Sequence, residues 1–287
     1  MSANILPPAQ MASPPARTAL VTGASRGIGR EIGVALAQAG LKVALFATNT
    51  HAIEQLASEL RKDTCVAENV IAIPCDVANP VEVTKATSKA LAAFGHIDLL
   101  VNAAGVLDDE VPAWEANAQQ WWHTFEVNVR GPFLLAQALV PQMIARGGGR
   151  IIDLSSGAAT RPMVEASAYN ASKTALLRFG EHLAVAGAEY GLRVFELAPG
   201  VVKTDMTADT KMHLGRTQWT PVSRTTDMVL AIARGEVDQC SGWYLRVTDD
   251  TPESLQTLAA QRTITGPNSS ARKLRIMPAP KNDPLTG

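Results

Sequence analysis

The feature that most restricts how this chain can fold is a short apolar run, Thr18-Ala-Leu-Val-Thr22, feeding directly into Gly23-Ala-Ser-Arg-Gly27-Ile-Gly29 and then into a helical pattern. A strand that turns tightly into a helix presents the helix N-terminus, with its unbonded N–H groups, at the carboxyl end of the strand. That arrangement makes a site for a pyrophosphate. Gly23 permits the tight turn, Gly27 lets backbone N–H groups approach the anion, and Gly29 lets the helix pack closely on the strand. Further apolar runs at 42–47, 70–75, 97–101, 149–155, 192–198 and 242–247 alternate with helical patterns near 27–39, 51–62, 80–94, 117–145, 166–190 and 224–234. In the second of these, Ile53, Leu56 and Leu60 recur at helical spacing and face the sheet. The alternation predicts an α/β fold: one domain, with a doubly wound parallel sheet of about seven strands covered by helices on both faces.

At 287 residues and 46% hydrophobic, the chain can bury one sizeable core, expected over 18–250. Residues 1–17, with two Pro-Pro pairs, are expected to form a disordered arm. Residues 251–287 form a C-terminal extension in which 252–262 has a short amphipathic helix through Leu255 and Leu258. The proline-containing remainder either reaches a neighbouring subunit or hangs loose. A net charge of −1 without a basic-aromatic cluster lacks the footprint of nucleic-acid binding, so small-molecule partners are expected. The three cysteines Cys65, Cys75 and Cys240 form no C-x-x-C and, being odd in number, no complete disulfide framework, which fits a reducing compartment. No apolar stretch reaches the roughly 18 to 20 residues that span a bilayer, and the N-terminus lacks a secretory pattern; the expectation is a soluble cytoplasmic protein, with no membrane partner. His51, His96, His123, His182 and His213 show no paired spacing, so no metal site is expected.

The chemistry centres on Tyr169-Asn-Ala-Ser-Lys173, with Ser156 thirteen residues upstream. On a helix, positions i and i+4 stack on one face, which brings the Lys173 ammonium beside the Tyr169 phenol. A cation within about 4 to 6 Å favours the phenolate and is expected to lower its pKa toward neutrality. Asn128-Val-Arg-Gly-Pro132 lies in a long helical pattern with proline four residues after asparagine. Pro132 has no N–H, so the Asn128 carbonyl loses its usual donor and the helix should kink there.

Together, Thr22 to Gly29, Asn102-Ala-Ala-Gly105, Asn128, Ser156, Tyr169, Lys173 and Pro199-Gly200, all in one order, resemble the short-chain dehydrogenase/reductase family in its short single-domain branch. The resemblance covers about residues 18 to 248 and implies a Rossmann-type sheet, a nicotinamide cofactor and a catalytic set of Asn128, Ser156, Tyr169 and Lys173 acting on a carbonyl or secondary alcohol. It implies that Tyr169 is the general acid/base and Ser156 holds the substrate oxygen, with Ser155 as the alternative. Lys173 would hold the nicotinamide ribose, and the Asn128 carbonyl a relay water. Cofactor-binding positions carried over are Gly23, Ser25, Arg26, Gly27, Ile28, Gly29, Thr48, Asp76, Val77, Asn102, Ala103, Gly105, Tyr169, Lys173, Pro199, Gly200, Val202 and Thr204. Asp76 would bond the adenine amino group, or else cap the helix starting near Pro80. Ala103 stands where the family more often has asparagine, which removes one possible side-chain hydrogen bond. A homodimer or homotetramer, built through helices 117–145 and 166–190, is implied.

Cofactor choice turns on the end of the second strand, Val43-Ala-Leu-Phe-Ala47-Thr48-Asn49, which has no carboxylate to accept bonds from a ribose 2′-OH or to repel a 2′-phosphate. Arg26 can pair with that phosphate, so NADP(H) is favoured and NAD(H) remains possible. The expected function is an NADP-dependent oxidoreductase, the alternative a non-catalytic dinucleotide-binding sensor or scaffold. An isomerase or dehydratase is disfavoured by the lack of a large second domain. Trp121 and Trp122 either line the substrate pocket or pack at a helix interface, and 206–220 is expected to form a lid.

Overall fold

The computed structural model describes residues 14–62, 69–208, 210–265 and 272–275. Seven strands, β1 (Thr18–Thr22), β2 (Lys42–Ala47), β3 (Val70–Pro74), β4 (Leu99–Asn102), β5 (Gly149–Leu154), β6 (Leu192–Ala198) and β7 (Tyr244–Arg246), form one sheet in the order β3-β2-β1-β4-β5-β6-β7. Every pairing is parallel. The chain winds outward from β1 to β3, then crosses back to place β4 on the other side of β1. That reversal opens a crevice at the carboxyl ends of β1 and β4, where such sheets bind ligands.

Strand residues alternate between two buried layers. Val21, Leu45, Val101 and Ile152 pack with Ile32 and Leu36 of α1 (Gly27–Gln38), Ile53 and Leu56 of α2 (Thr50–Arg61), and Val229 and Ile232 of α8 (Val222–Arg234). Leu20, Ala44, Leu100 and Ile151 pack with Val83 of α3 (Pro80–Phe94), Leu135 and Leu139 of α5 (Gly131–Ala145) and Ala184 of α6 (Ser167–Ala186). Local chemistry sets the helix ends. Asn49 caps α2 by accepting from the Ala52 N–H, Asn79 caps α3 ahead of Pro80, and Gly95 stops α3 at a φ of 80°.

The expected helix over 117–145 is broken. After α4 (Ala118–Phe125), residues Glu126–Arg130 form a π-helical segment, and α5 follows. The Gly131 N–H reaches back five residues to the Glu126 carbonyl, the wider turn that results when Pro132 cannot donate to Asn128. Asn128 lies in the middle of this bulge, fully buried.

Residues 14–17 are anchored: the Ala16 N–H donates to the Ala233 carbonyl, the Arg17 N–H to Asp98 Oδ2, and Arg150 Nη1 to the Pro14 carbonyl. Residues 1–13 of the expected arm, and Cys65, lie outside the described residues; Cys75 and Cys240 are buried and not joined in a disulfide among the described residues. Helix α9 (Pro252–Thr265) packs Leu255 and Leu258 onto the core. Beyond it, residues 272–275 dock back on the same fold. Arg272 clasps Asp250 through two bonds of 2.7 Å, its carbonyl accepts from the Tyr244 N–H on the edge of β7, and Leu274 bonds to Glu181 and Arg178 of α6. A buried carboxylate on Asp250 supplies the physical reason, since an acid so enclosed needs a cation. Residues 266–271 and 276–287 of the extension lie outside the description.

Candidate active site

A cleft of about 750 Å³ opens at the carboxyl edge of the sheet, lined by the glycine turn, the end of β2, Asp76 and Val77, residues 103–106, and Tyr169 and Lys173. Gly23 and Gly27 adopt φ of 64° and 55°, and a Cβ on Gly23 would come within 2.8 Å of the Ala104 backbone. Only glycine tolerates both demands. Helix α1 begins with no side-chain cap and no acidic residue in its first turn, so its N–H groups remain unspent toward the cleft. These features fit a dinucleotide pyrophosphate. Asp76 accepts from the Ala78 N–H at 2.9 Å and is not a helix cap, that place being taken by Asn79. Thr48, just past the end of β2, stands in the cleft wall between Ala47 and Asn49, with no carboxylate beside it. Arg26 spans the mouth to Asp205 at 3.4 Å, both side chains about 70% exposed (70% and 72%).

Tyr169 and Lys173 rise from the first turns of α6, on the same side of the helix. Lys173 Nζ lies 5.7 Å from the Tyr169 ring centroid and donates to the Leu154 carbonyl at 2.7 Å. Ser156, which ends the β5 turn, reaches the Tyr169 phenol with its hydroxyl and also caps Ala158. Neighbouring Ser155 is buried at its hydroxyl, which turns inward toward Glu196. Ser155 borders the cleft, whereas Ser156 is the serine whose hydroxyl reaches the phenol. Asn128 is held by its side chain, which exchanges bonds with the Val106 backbone (2.9 and 3.0 Å) and donates to Ser172 Oγ at 3.0 Å. Gly105 leaves the space between them open, since a Cβ there would lie 3.4 Å from Asn128 Oδ1 and 3.7 Å from Lys173 Nζ.

One expectation is corrected. The Tyr169 phenol titrates above its ordinary value, because burial outweighs the opposing hydrogen bond from Ser156. The ammonium is spent on the Leu154 carbonyl rather than on the phenol, and burial lowers Lys173 itself to about 8 against the opposing pull of Glu196 and Asp153.

Other expected positions sit outside the cleft wall. The Asn102 side chain turns into the protein and donates to Asp153 Oδ1 at 2.6 Å. Val202 lines an adjoining recess with Trp219, while Gly200 packs against Thr220 and Thr248. Trp121 stacks on Phe125 and donates to Ser167 on α6, packing at the helix interface, whereas Trp122 is exposed; His123 and Val127 line the cleft instead. Within the expected lid, Met206 lines the cleft, and Lys211 and Met212 donate their N–H groups to Glu110. Sequence reasoning missed Asp108. Its two oxygens accept from the N–H groups of Tyr169 (2.8 Å) and Ala168 (3.0 Å), capping α6 from a loop sixty residues away; no local pattern marks it. Among the described residues no cluster could hold a metal ion, and no helix is long and apolar enough to cross a membrane.

Fold and cleft together define a dinucleotide-binding α/β protein. Residues 17–214 match the short chain dehydrogenase family model. Over 195 residues the chain is 39% identical to a short-chain type dehydrogenase/reductase of Picea abies, spanning 66% of this chain and 72% of that protein. Over 246 residues it is 36% identical to short chain dehydrogenase mpl6 of Monascus purpureus, 83% of each. It is also similar to the structure of a gluconate 5-dehydrogenase from Burkholderia cenocepacia in complex with NADP and tartrate, with a TM-score of 0.73 and 28% identity over 82% of this chain and 96% of that one. The chain belongs to the short-chain dehydrogenase/reductase family, and is an oxidoreductase that works between alcohol and carbonyl with a nicotinamide dinucleotide.

Proposed function

We propose that this enzyme uses NADP(H) to interconvert a small carbonyl compound and its secondary alcohol, with Tyr169 as the acid/base. The observation that carries the reading is the meeting of Tyr169 and Lys173 in the wall of a cleft that also holds the glycine turn, with the Ser156 hydroxyl bonded to the phenol. Gly23, Ser25, Gly27, Ile28 and Gly29 would hold the pyrophosphate, Asp76 and Val77 the adenine, and Pro199 and Thr204 the nicotinamide end; the bound cofactor supplies or accepts the hydride. Ser156 holds the carbonyl oxygen beside the phenol, and Tyr169 delivers a proton to it in the reductive direction. A phenol kept protonated by burial suits the role of acid. Lys173, released from the Leu154 carbonyl, would bind the ribose hydroxyls. The Asn128 carbonyl, deprived of a donor by Pro132, would hold water at the end of the relay.

Preference for NADP(H) rests on the absence of a carboxylate after β2 and on Arg26. Its ion pair with Asp205 is so exposed that a phosphate can displace it at little cost. The subunit would pair through the faces of α4–α5 and α6. Replacement of Tyr169 by Phe is the test. NADPH oxidation across a carbonyl panel should fall at least about a hundredfold, the contribution of a positioned acid, while NADPH binding by fluorescence stays within about twofold. Retained turnover would refute the mechanism.

A further inference from the structure

Across the sheet, on the face covered by α6, one polar side chain from each of four adjacent strands stands in register: Asn102 opposite Asp153, Asp153 opposite Glu196, and Glu196 opposite Tyr244. All four are buried, the two acids to 1% exposure. Charged side chains are almost never buried unless paired, so two acids side by side in a core require an explanation. A Cβ built on Gly180 of α6 would collide with Glu196 Oε1 and approach Asp153 Oδ2 to 3.3 Å, so both carboxyls converge on the notch that this glycine leaves. They contact one another directly. Apart from the Ser155 hydroxyl beside Glu196, no donor reaches Asp153 Oδ2 or either Glu196 oxygen among the described residues.

Two ionised carboxylates in this position would repel each other, and both would lack donors. A single proton between them removes both problems, as in any close carboxyl pair that cannot ionise twice. Lys173 is the cation whose charge bears on both. One positive charge opposite a pair carrying one negative charge makes a neutral buried cluster.

We propose that Asp153 and Glu196 share one proton and act as a single negative charge beneath Lys173, positioning residues that keep its ammonium form available to the cofactor. The groups facing this cluster are Tyr169 from α6, Tyr244 from β7, and the uncharged Asn102 and Ser155 from β4 and the end of β5; His123 lines the cleft from α4, and Arg161 and Arg246 bear on Tyr244. Burial raises both acids, Asp153 to about 6, and the neighbouring Asp153 raises Glu196 further, so the pair takes up its proton in the range where ordinary carboxyls are ionised. Lys173 is lowered to about 8, and its ammonium is lost as pH rises through that value. The role in cofactor binding rests on the proposed function; the shared proton does not.

The test uses the full chain in three variants: Glu196→Gln, Asp153→Asn and the double variant. Infrared spectroscopy at neutral pH should show one buried protonated carboxyl in the wild type, absent from each single variant, because the remaining acid then ionises alone. NADPH affinity, titrated by fluorescence as a function of pH, should weaken as pH rises through Lys173's titration. Each single variant keeps one negative charge and the same midpoint, whereas the double variant lowers the midpoint by about one unit or more. A wild type lacking the protonated band, a band surviving in both single variants, or a double variant with an unmoved midpoint would overturn the proposal. If the double variant fails to fold, the band in the wild type and its loss from the single variants still decide. Absence of NADPH binding at every pH would instead sink the cofactor reading, leaving the infrared result to judge the pair.

Discussion

Replacing Arg272 with Ala tests whether the extension is part of the fold that holds the active-site helix. Asp250 is 4% exposed at its side chain, and its oxygens accept two Arg272 bonds of 2.7 Å and one from the Arg246 N–H, also 2.7 Å. Truncating Arg272 leaves a buried carboxylate with one backbone donor, and breaking a fully buried pair costs about 3–5 kcal/mol. The Arg272 side chain is 27% exposed, so water entering its place can solvate Asp250 and recover part of this. The loss expected is about 2–3 kcal/mol, or a fall in Tm of roughly 4–6 °C for a chain of this size. Urea unfolding followed by circular dichroism measures it. A double-mutant cycle with Asp250→Asn should give a coupling of about 1 kcal/mol or more, since the two residues act on one contact. Because Leu274 ties the same segment to Glu181 and Arg178 on α6, turnover should also become more heat-labile than in the wild type. An Arg272→Ala variant within about 0.5 kcal/mol of the wild type, the range of ordinary surface changes, would refute the clasp.

Replacing Asp108 with Ala removes both acceptors at the start of α6, which should cost about 1–2 kcal/mol of stability and lower kcat more than it raises KM, since Tyr169 loses its anchor while the cleft keeps its shape; an unchanged kcat would show that the cap has no part in placing the phenol. NADPH should bind at least about tenfold more tightly than NADH, and Arg26→Ala should bring the two affinities within about threefold, with fluorescence titration as the readout. Equal affinities in the wild type would remove the case for phosphate recognition.

Sequence alone determined the parts of this protein that depend on neighbours along the chain. The turn from Thr22 to Gly29 is legible because φ above zero and close backbone approach admit only glycine at Gly23 and Gly27. Likewise, Tyr169 and Lys173 share a helix side because 3.6 residues per turn leaves no choice, and the break at Asn128 follows from the missing N–H of Pro132. Even so, the wider turn was legible only as a kink, since the choice of a π bulge depends on how α4 and α5 both pack on α6 and the sheet.

Strand order decided the rest. Asn102, Asp153, Glu196 and Tyr244 are each unremarkable within their own strands, and only lateral pairing lines them up beneath Lys173. The direction of the Tyr169 shift was misjudged for the same reason: spacing reveals a nearby cation, but burial and the competing Leu154 carbonyl are properties of the packed molecule. Asp108 and the Arg272 clasp likewise join segments far apart in sequence, so a chain read in one dimension carries their residues without their meetings.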